Sequence, residues 1–198
     1  LGVDTELFRP LPETEREPHR LMTTASADTP LKGVAVLLRA IASLRSSYPD
    51  IRLTLVGRPK PGGDTEKLIA SLGLGDVVES FKGISHEEMV QKYASASVAV
   101  VPSIYEGFGL PAVEAMACGV PLVSTDGGAL AEVVEDAGLF VPAGDSQALA
   151  AAIRQLFEDD QLRDDFASRG LSRAEQHFCW NRCAERMEAY YQERIAAC

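Results

Sequence analysis

The sequence predicts an α/β fold in which a doubly wound parallel sheet of six strands is followed by a helical C-terminal tail. Short runs of β-branched and other apolar residues alternate with longer segments whose apolar residues recur at helical spacing. Such alternation is typical of strand–helix–strand units, which form parallel sheets. The chain has 198 residues, 46% of them hydrophobic, which is enough for one sizeable core. Glycine and polar residues follow several strands, at the sheet edge where such folds bind ligands.

The apolar runs predict the elements in order. Strands are expected at residues 20–25, 51–56, 77–81, 98–101, 120–124 and 138–141. Helices are expected at residues 32–44 and 65–72, after Ser85, from about Pro111, around Glu132, and at 145–158, 161–176 and 181–196. Ser85, with Glu88 three residues later, forms a capping box, which marks a helix start. A Rossmann-like strand order of 3-2-1-4-5-6 would make strands one and four neighbours.

The densest group of glycine and polar residues follows the fourth strand. Pro111 suits the first turn of a helix, because its missing N–H would have no partner there. Gly107 and Gly109, just before it, allow the backbone to approach a ligand closely. The free N–H groups and the dipole of that helix favour an anion. This segment therefore predicts a phosphate site.

Two carboxylates flank the expected phosphate site. Glu114 lies about one turn into the helix, where a carboxylate can accept two hydrogen bonds from a vicinal diol such as ribose. Glu106 lies in the loop, where it is placed to meet a sugar. A solvated face would also explain two glutamates at this spacing, but the preceding strand, the glycines and the proline favour a ligand site.

Cations near two strand ends are further candidates for binding an anion. Lys32 is expected at the start of the first helix, where the helix dipole disfavours a cation unless an anion is its partner. Arg58 and Lys60 follow the second strand, and solvation is the alternative explanation for all three of these cations. Lys82 follows the third strand, where a plain turn is the alternative to a binding residue. With strands one and four adjacent, Lys32 and residues 106–114 would face each other across one crevice.

A second pattern in the same segment points to a different ligand. Residues 107–112 fit G-x-G-x-x-G/A, and Asp126 follows at about the 20-residue spacing of a ribose-binding acid. That pattern belongs in the first strand–helix unit of a sheet, and three such units are expected before it here. A nicotinamide site is therefore disfavoured.

Composition argues against several classes of function. The net charge of -10 and the pI of about 4.8 argue against a nucleic-acid partner. No apolar run approaches the roughly 20 residues of a transmembrane helix. His177, Cys179 and Cys183 lack a second ligand pair, and no Asp-x-Asp pair occurs, so we expect no metal. The few cysteines, of which Cys118 is expected in the core, favour a reducing compartment, and we expect a cytoplasmic protein with peripheral membrane contact left open.

Residues 106–123 resemble the signature of family-four retaining glycosyltransferases, which have the glycosyltransferase-B (GT-B) fold. In that signature two glutamates are separated by seven residues, as Glu106 and Glu114 are here. The wider resemblance runs from the Gly2-Val-Asp-Thr phrase to the final helix. It implies transfer of a hexose from a nucleotide diphosphate sugar to a hydroxyl acceptor, with retention of configuration. No cofactor beyond this donor substrate is implied.

The resemblance also implies roles for the candidate residues. Lys32 would contact the donor diphosphate and Glu106 the donor sugar, as the catalytic residues, while Glu114 would hold the ribose. The other donor-binding candidates are Gly107, Phe108, Gly109, Leu110, Ser26, Lys82 and Arg58. Ser26 stands where many relatives carry an arginine that meets phosphate, so half of the usual cationic clamp is absent unless a neighbouring cation supplies it.

The implied organisation is one half of a two-domain enzyme. Residues 1–19 would be an interdomain linker, residues 20–178 a Rossmann-like nucleotide-sugar-binding domain, and residues 179–198 a helix that packs back on an N-terminal domain. Phe178 and Trp180 are expected to pack in the core. We expect this half to be inactive alone, because the other domain would carry the acceptor site. A nucleotide-sugar epimerase or phosphorylase of the same fold, or a non-catalytic binding module, stays open as an alternative.

Overall fold

The computed structural model describes residues 1–25 and 28–196 and contains one parallel six-stranded sheet with helices on both faces. The strands lie in the order β3-β2-β1-β4-β5-β6, which confirms the predicted order. Their bounds are β1 Arg20–Thr24, β2 Arg52–Val56, β3 Val78–Phe81, β4 Val98–Val101, β5 Leu122–Thr125 and β6 Leu139–Val141. The helices are α1 Val34–Leu44, α2 Asp64–Ser71, α3 His86–Ser95, α4 Leu110–Ala117, α5 Leu130–Val134, α6 Ser146–Glu158, α7 Asp160–Arg173 and α8 Trp180–Ala196.

The strand order reverses at the centre of the sheet. β1 and β4 are neighbours, with Leu21 opposite Val98 and Met22 opposite Ala99. β1 continues to β2 on its other side, whereas β4 continues to β5. The connections after β1 and β4 therefore run to opposite sides, and the carboxyl ends of these two strands are where such a sheet is expected to bind a ligand.

Alternate strand residues face two apolar cores. Leu21 packs in the core that contains α1 and α6, where Ile41 and Ile153 are fully buried. Met22 faces the opposite core, where Met116 of α4 is fully buried. Because both faces of the sheet are covered, the strand sequences are nearly continuous apolar runs.

The first helix begins later than the sequence predicts. Lys32 ends a short 3-10 turn, Pro30–Lys32, and α1 starts only at Val34. Gly33 between them has a φ of 66°, and a Cβ atom there would lie 1.8 Å from the carbonyl oxygen of Pro102. Only glycine tolerates both the backbone angle and this close approach. The prediction that Lys32 opens the helix was therefore wrong, and Lys32 lies before α1, beside the loop after β4.

The C-terminal helix packs on neither core. α7 ends at Arg173, earlier than predicted, and a π-helical turn, Ala174–Phe178, leads to α8, which has no buried residue. Trp180 is 54% exposed, so its predicted place in the core was wrong. Phe178 does pack partly against the α4 core, and its carbonyl oxygen accepts a 2.7 Å hydrogen bond from the Val3 N–H.

The burial of Cys118 and the length and polarity of the helices bear on two expectations drawn from composition. Cys118 is 1% exposed in the α4 core, as predicted, and burial raises the pKa of its thiol to about 12. Across residues 1–25 and 28–196, every helix is too short or too polar to cross a membrane.

Candidate functional site

Three loops meet at the carboxyl edge of the sheet. The Ile104 N–H donates to the Leu31 carbonyl oxygen at 2.8 Å, which joins the loop after β4 to the loop after β1. The Glu106 backbone joins the loop after β5, because its N–H donates to Gly127 at 3.3 Å and its carbonyl accepts from Ala129 at 2.9 Å. The loop that carries Glu106 is therefore held by backbone hydrogen bonds on both sides.

These contacts place Lys32 directly against Glu106. The Lys32 Nζ lies 2.7 Å from Glu106 Oε1, and the Ser103 hydroxyl donates to the same oxygen at 2.9 Å. Glu106 is only 8% exposed, so this cation and hydroxyl compensate a nearly buried carboxylate. The other oxygen, Oε2, accepts no hydrogen bond from any residue that the structure describes. It is thus available to a ligand hydroxyl.

A row of unpaired N–H groups follows Glu106. Gly109, with a φ of 100°, precedes α4, whose first turn contains Pro111 as predicted. Within the described part of the chain, the N–H groups of residues 107–110 donate to no backbone or side-chain acceptor. A Cβ atom added at Gly107 would meet nothing within 4 Å, so the space beside this residue is open. Unpaired N–H groups that lead into the positive end of a helix dipole suit an anion.

Glu114 occupies a different environment, one turn into α4. Its Oε2 accepts a 3.1 Å hydrogen bond from the hydroxyl of Tyr93, a residue of α3. Burial raises the pKa of the Glu114 carboxyl, and the Tyr93 hydrogen bond and the nearby His86 oppose that rise. Glu114 therefore has no cation in direct contact among the described residues, unlike Glu106.

The remaining predicted cations lie around this centre without touching it. Gly57 packs against the loop after β1, since a Cβ atom there would lie 1.6 Å from the Ala25 carbonyl oxygen, and the exposed Arg58 follows it. The exposed Lys82 follows β3, two strands from β1 and so about 10 Å away. Ser26, the other predicted phosphate contact, lies outside the described residues.

Asp28 links the loops after β1 and β2. Its Oδ2 accepts a 2.6 Å hydrogen bond from the Lys60 N–H, and its Oδ1 accepts one from the Thr65 N–H at 3.2 Å. These bonds, that from Lys60 most of all, lower the pKa of the Asp28 carboxyl. Lys60 thus contributes its backbone to the loop, while its side chain is exposed.

Several residues of the site were not identified from the sequence. Ser103 lies three positions before Glu106, a spacing that a search for local hydroxyl–carboxylate pairs would have found. Tyr93 and Thr24 carry no local signal, because they meet only through the packing of α3 against β1. Gly128 has a φ of 68° and lies against the Glu106 carbonyl, so it helps to shape the loop that carries Glu106.

No group of three or more His, Cys, Asp or Glu side chains is arranged to hold a metal ion in residues 1–25 and 28–196. The site as described consists of backbone N–H groups, one lysine and two carboxylates. This combination suits a phosphate joined to hydroxyl-rich groups.

The sequence matches a known family along most of its length. Residues 9–173 match the family described as Glycosyl transferases group 1. An MMP alpha-(1->4)-mannosyltransferase of Mycolicibacterium hassiacum is 46% identical over 205 residues, which cover 100% of this chain and 49% of that protein. A D-inositol 3-phosphate glycosyltransferase of Nocardioides sp. is 34% identical over 218 residues, covering 98% and 47%. The chain spans about half the length of the curated relatives it matches.

Solved structures match the whole described fold. The sucrose-phosphate synthase of Thermosynechococcus elongatus superposes with a TM-score of 0.81 at 32% identity, over 100% of this chain and 52% of that one. Anabaena HepE in complex with UDP superposes with a TM-score of 0.80 at 26% identity, over 100% of this chain and 56% of that one.

Proposed function

The chain belongs to the family Glycosyl transferases group 1, and on that premise we propose that it binds the nucleotide diphosphate sugar of a two-domain glycosyltransferase. Its fold is one half of a GT-B fold, with the helical C-terminal segment that the sequence predicts. Anabaena HepE, which is similar along the whole chain, was solved with UDP, and this supports a nucleoside diphosphate as the ligand.

The observation that carries the proposal is the open row of N–H groups at residues 107–110 beside the Lys32–Glu106 pair. In our proposal these N–H groups and the Lys32 ammonium bind the donor diphosphate. They also stabilise the charge that develops on it when the sugar leaves. Phe108 and Leu110 contribute to this row through their backbone N–H groups.

The two glutamates bind the groups on either side of the diphosphate in this proposal. Glu114 accepts hydrogen bonds from the two hydroxyls of the ribose. Glu106 holds the donor hexose through its free Oε2, while Lys32 and Ser103 fix its Oε1. The sugar is thereby oriented for a hydroxyl acceptor, with retention of configuration and without a metal. Ser26, Arg58 and Lys82 stay predicted donor contacts.

The chain matches only about half the length of its relatives, which supports two domains with separate binding roles. We propose that residues 1–19 link this domain, residues 20–178, to an N-terminal domain that binds the acceptor, and that residues 179–198 pack on that domain. The lack of any buried residue in α8, Trp180–Ala196, is consistent with such a partner. The isolated chain should then bind donor but turn over little, because the crevice closes only between two domains. We propose a cytoplasmic site of action.

Isothermal titration calorimetry with uridine, guanosine and adenosine diphosphates tests the proposal directly. One of them should bind, and Lys32→Ala should weaken that binding by about tenfold or more, because it removes the cation beside the diphosphate. Lys67→Ala is the matched control, since Lys67 is an exposed lysine of α2 outside the site.

Folded protein that binds none of the three diphosphates, as verified by circular dichroism and a cooperative thermal transition, would contradict the proposal. Equal losses in Lys32→Ala and Lys67→Ala would point to a general charge effect and contradict the assigned site.

A further inference from the structure

A buried tyrosine lies behind Glu114, and the donor proposal assigns it no role. Tyr93 of α3 is 1% exposed, and its hydroxyl is the one polar group at the end of an otherwise apolar side chain. The hydroxyl lies 2.7 Å from Thr24 Oγ1, 3.1 Å from Glu114 Oε2 and 3.3 Å from the Pro111 carbonyl oxygen. Three elements, β1, α3 and α4, thus meet at a single oxygen atom.

The number of available protons fixes the direction of the hydrogen bonds among Thr24, Tyr93 and Glu114. A phenol has one proton, and Glu114 as a carboxylate has none to give, so the Tyr93–Glu114 bond requires Tyr93 as the donor. The Thr24 hydroxyl can then donate to the Tyr93 oxygen, and the chain runs from Thr24 through Tyr93 to Glu114. Burial, reinforced by the charge of Glu114, raises the pKa of Tyr93 well above its usual value. Tyr93 therefore keeps its proton at physiological pH and remains a permanent donor.

We propose that Tyr93 is a positioning residue for donor recognition, which holds the ionised Glu114 carboxylate in the orientation that accepts both pentose hydroxyls. Thr24 in turn fixes the Tyr93 hydroxyl. This inference rests on the proposed function and adds to it how the ribose-binding carboxylate is oriented. A carboxylate on a helix surface can rotate among several rotamers, and a buried donor on one oxygen selects one of them.

The groups that act on Glu114 support an effect on its ionisation as well. From α3 it faces Tyr93 and the exposed His86, and along its own helix it faces the buried Cys118. Of these, only the Tyr93 hydroxyl forms a direct hydrogen bond to the carboxylate. Without that bond the anion loses stabilisation, and protonation, which removes the acceptor that the pentose diol needs, should begin at higher pH.

Tyr93→Phe tests the role, with each nucleoside diphosphate of the panel and its 2′,3′-dideoxy counterpart as paired probes. We expect the variant to bind the ribose form about tenfold more weakly, because the carboxylate is no longer held. The dideoxy form, which has no diol, should change by less than about twofold. The ratio of the two affinities isolates the carboxylate–diol contact from any general loosening of the fold.

Tyr48→Phe is the matched control. Tyr48 is also buried, and its hydroxyl donates to Glu158 at 2.7 Å, but it lies before β2, at the opposite edge of the sheet. The Tyr48→Phe variant loses the same kind of hydrogen bond. Its ratio of ribose-form to dideoxy-form affinity should equal that of the unmodified chain. Thr24→Val, which removes only the hydroxyl behind Tyr93, should give a smaller change in the same direction as Tyr93→Phe.

The pH dependence gives a second readout. As the pH is lowered, ribose-form binding by the unmodified chain should weaken relative to dideoxy-form binding when Glu114 becomes protonated. In Tyr93→Phe this weakening should begin at higher pH, and the dideoxy form corrects for titration of the phosphates themselves. A merely structural role for Tyr93 would not shift this curve.

The possible outcomes distinguish a failure of the proposed donor binding from a failure of the proposed role of Tyr93. Unmodified protein that binds none of the diphosphates overturns the donor proposal and the role of Tyr93 together. Unmodified protein that binds, with Tyr93→Phe giving the same affinity ratio and the same pH curve, overturns the role of Tyr93 alone. Equal weakening of the ribose and dideoxy forms also overturns it, because the tyrosine would then be supporting the fold.

Discussion

Glu106 and Glu114 lie eight positions apart in one loop–helix segment, and the fold stabilises them in opposite ways. Glu106 is 8% exposed and shares one oxygen between a lysine at 2.7 Å and a serine hydroxyl at 2.9 Å. Glu114 has only the neutral Tyr93 hydroxyl in direct contact, and burial raises its pKa. Two carboxylates of one motif can therefore differ in the groups that compensate their negative charge. Glu106 is paired with a cation, whereas the ionisation of Glu114 depends on its burial and on a neutral hydroxyl.

The surroundings of the two residues differ because different elements supply them. The partners of Glu106 come from loops, namely the turn before α1 and the residues that follow β4. The partner of Glu114 is Tyr93 of α3, which is buried within the α4 core. Lys32 can carry a charge because its side chain is 31% exposed, while a partner inside an apolar core is most stable when neutral.

The largest expected effect tests how firmly the Glu106 loop is held. Gly128→Ala should lower the free energy of unfolding by about 3 kcal/mol, measured by urea denaturation. The reason is that Gly128 has a φ of 68° and an added Cβ atom would lie 2.2 Å from the Glu106 carbonyl oxygen. Gly107→Ala is the matched control in the same loop system, and since its Cβ atom would meet nothing, it should change stability by less than about 0.5 kcal/mol. Similar losses in both variants would show that the Glu106 loop is not specially constrained.

An intermediate effect is expected from breaking the ion pair. Lys32→Met should destabilise the protein by about 2 kcal/mol, because it leaves a nearly buried carboxylate with the Ser103 hydroxyl alone. The value is discounted for solvent, since the Lys32 side chain is 31% exposed. Glu106→Gln should cost about 1 kcal/mol, because Lys32 then reaches water.

The double variant Lys32→Met with Glu106→Gln completes the cycle. It should be less destabilised than the sum of the single variants by about 1 kcal/mol, as measured by denaturant unfolding. Strict additivity would mean that the 2.7 Å contact contributes no coupling, and the contrast between the two glutamates would lose its basis.

The smallest effect concerns Glu114 and has the opposite sign. The folded protein binds a proton at Glu114 more tightly than the unfolded chain does, because burial raises the carboxyl pKa. The free energy of unfolding should therefore fall as pH rises from the ordinary glutamate pKa through the raised one, and stay lower above it. Glu114→Gln removes this fall, so its melting temperature relative to the unmodified chain should be higher by a few degrees near neutral pH than near pH 4.

Scanning calorimetry at the two pH values checks this, and Glu106→Gln serves as the comparison. The stability of that variant relative to the unmodified chain should not improve from pH 4 to neutral pH, whereas that of Glu114→Gln should. A loss in both would show that Glu114 is stabilised as an anion in the same way as Glu106, and the two environments would then be equivalent.

Much of this architecture follows from local sequence patterns. The six apolar runs became six parallel strands, and the predicted strand order made β1 and β4 neighbours. The capping box is present, since Ser85 accepts from the Glu88 N–H and the Glu88 side chain accepts from the Ser85 N–H. These features depend on periodicity and on side-chain chemistry within a few positions, and a linear sequence records both.

The errors occurred where a distant segment overrode the local pattern. The apolar spacing extended the first helix back to Lys32, but the approach of the Pro102 carbonyl forces a left-handed glycine before Val34. Trp180 is bulky and apolar, yet it lies exposed because no described element covers the start of α8. Neither outcome is encoded within a few residues of the position concerned.

Strand periodicity and the placement of glycine and proline are enough to predict the parallel sheet, the neighbouring positions of β1 and β4, and the loop–helix start at residues 107–111. Long-range packing is what places Lys32 against Glu106 and sets Tyr93 and Thr24 behind Glu114. Those contacts join residues 21 to 74 positions apart, and their geometry depends on how helices and loops pack on a common sheet.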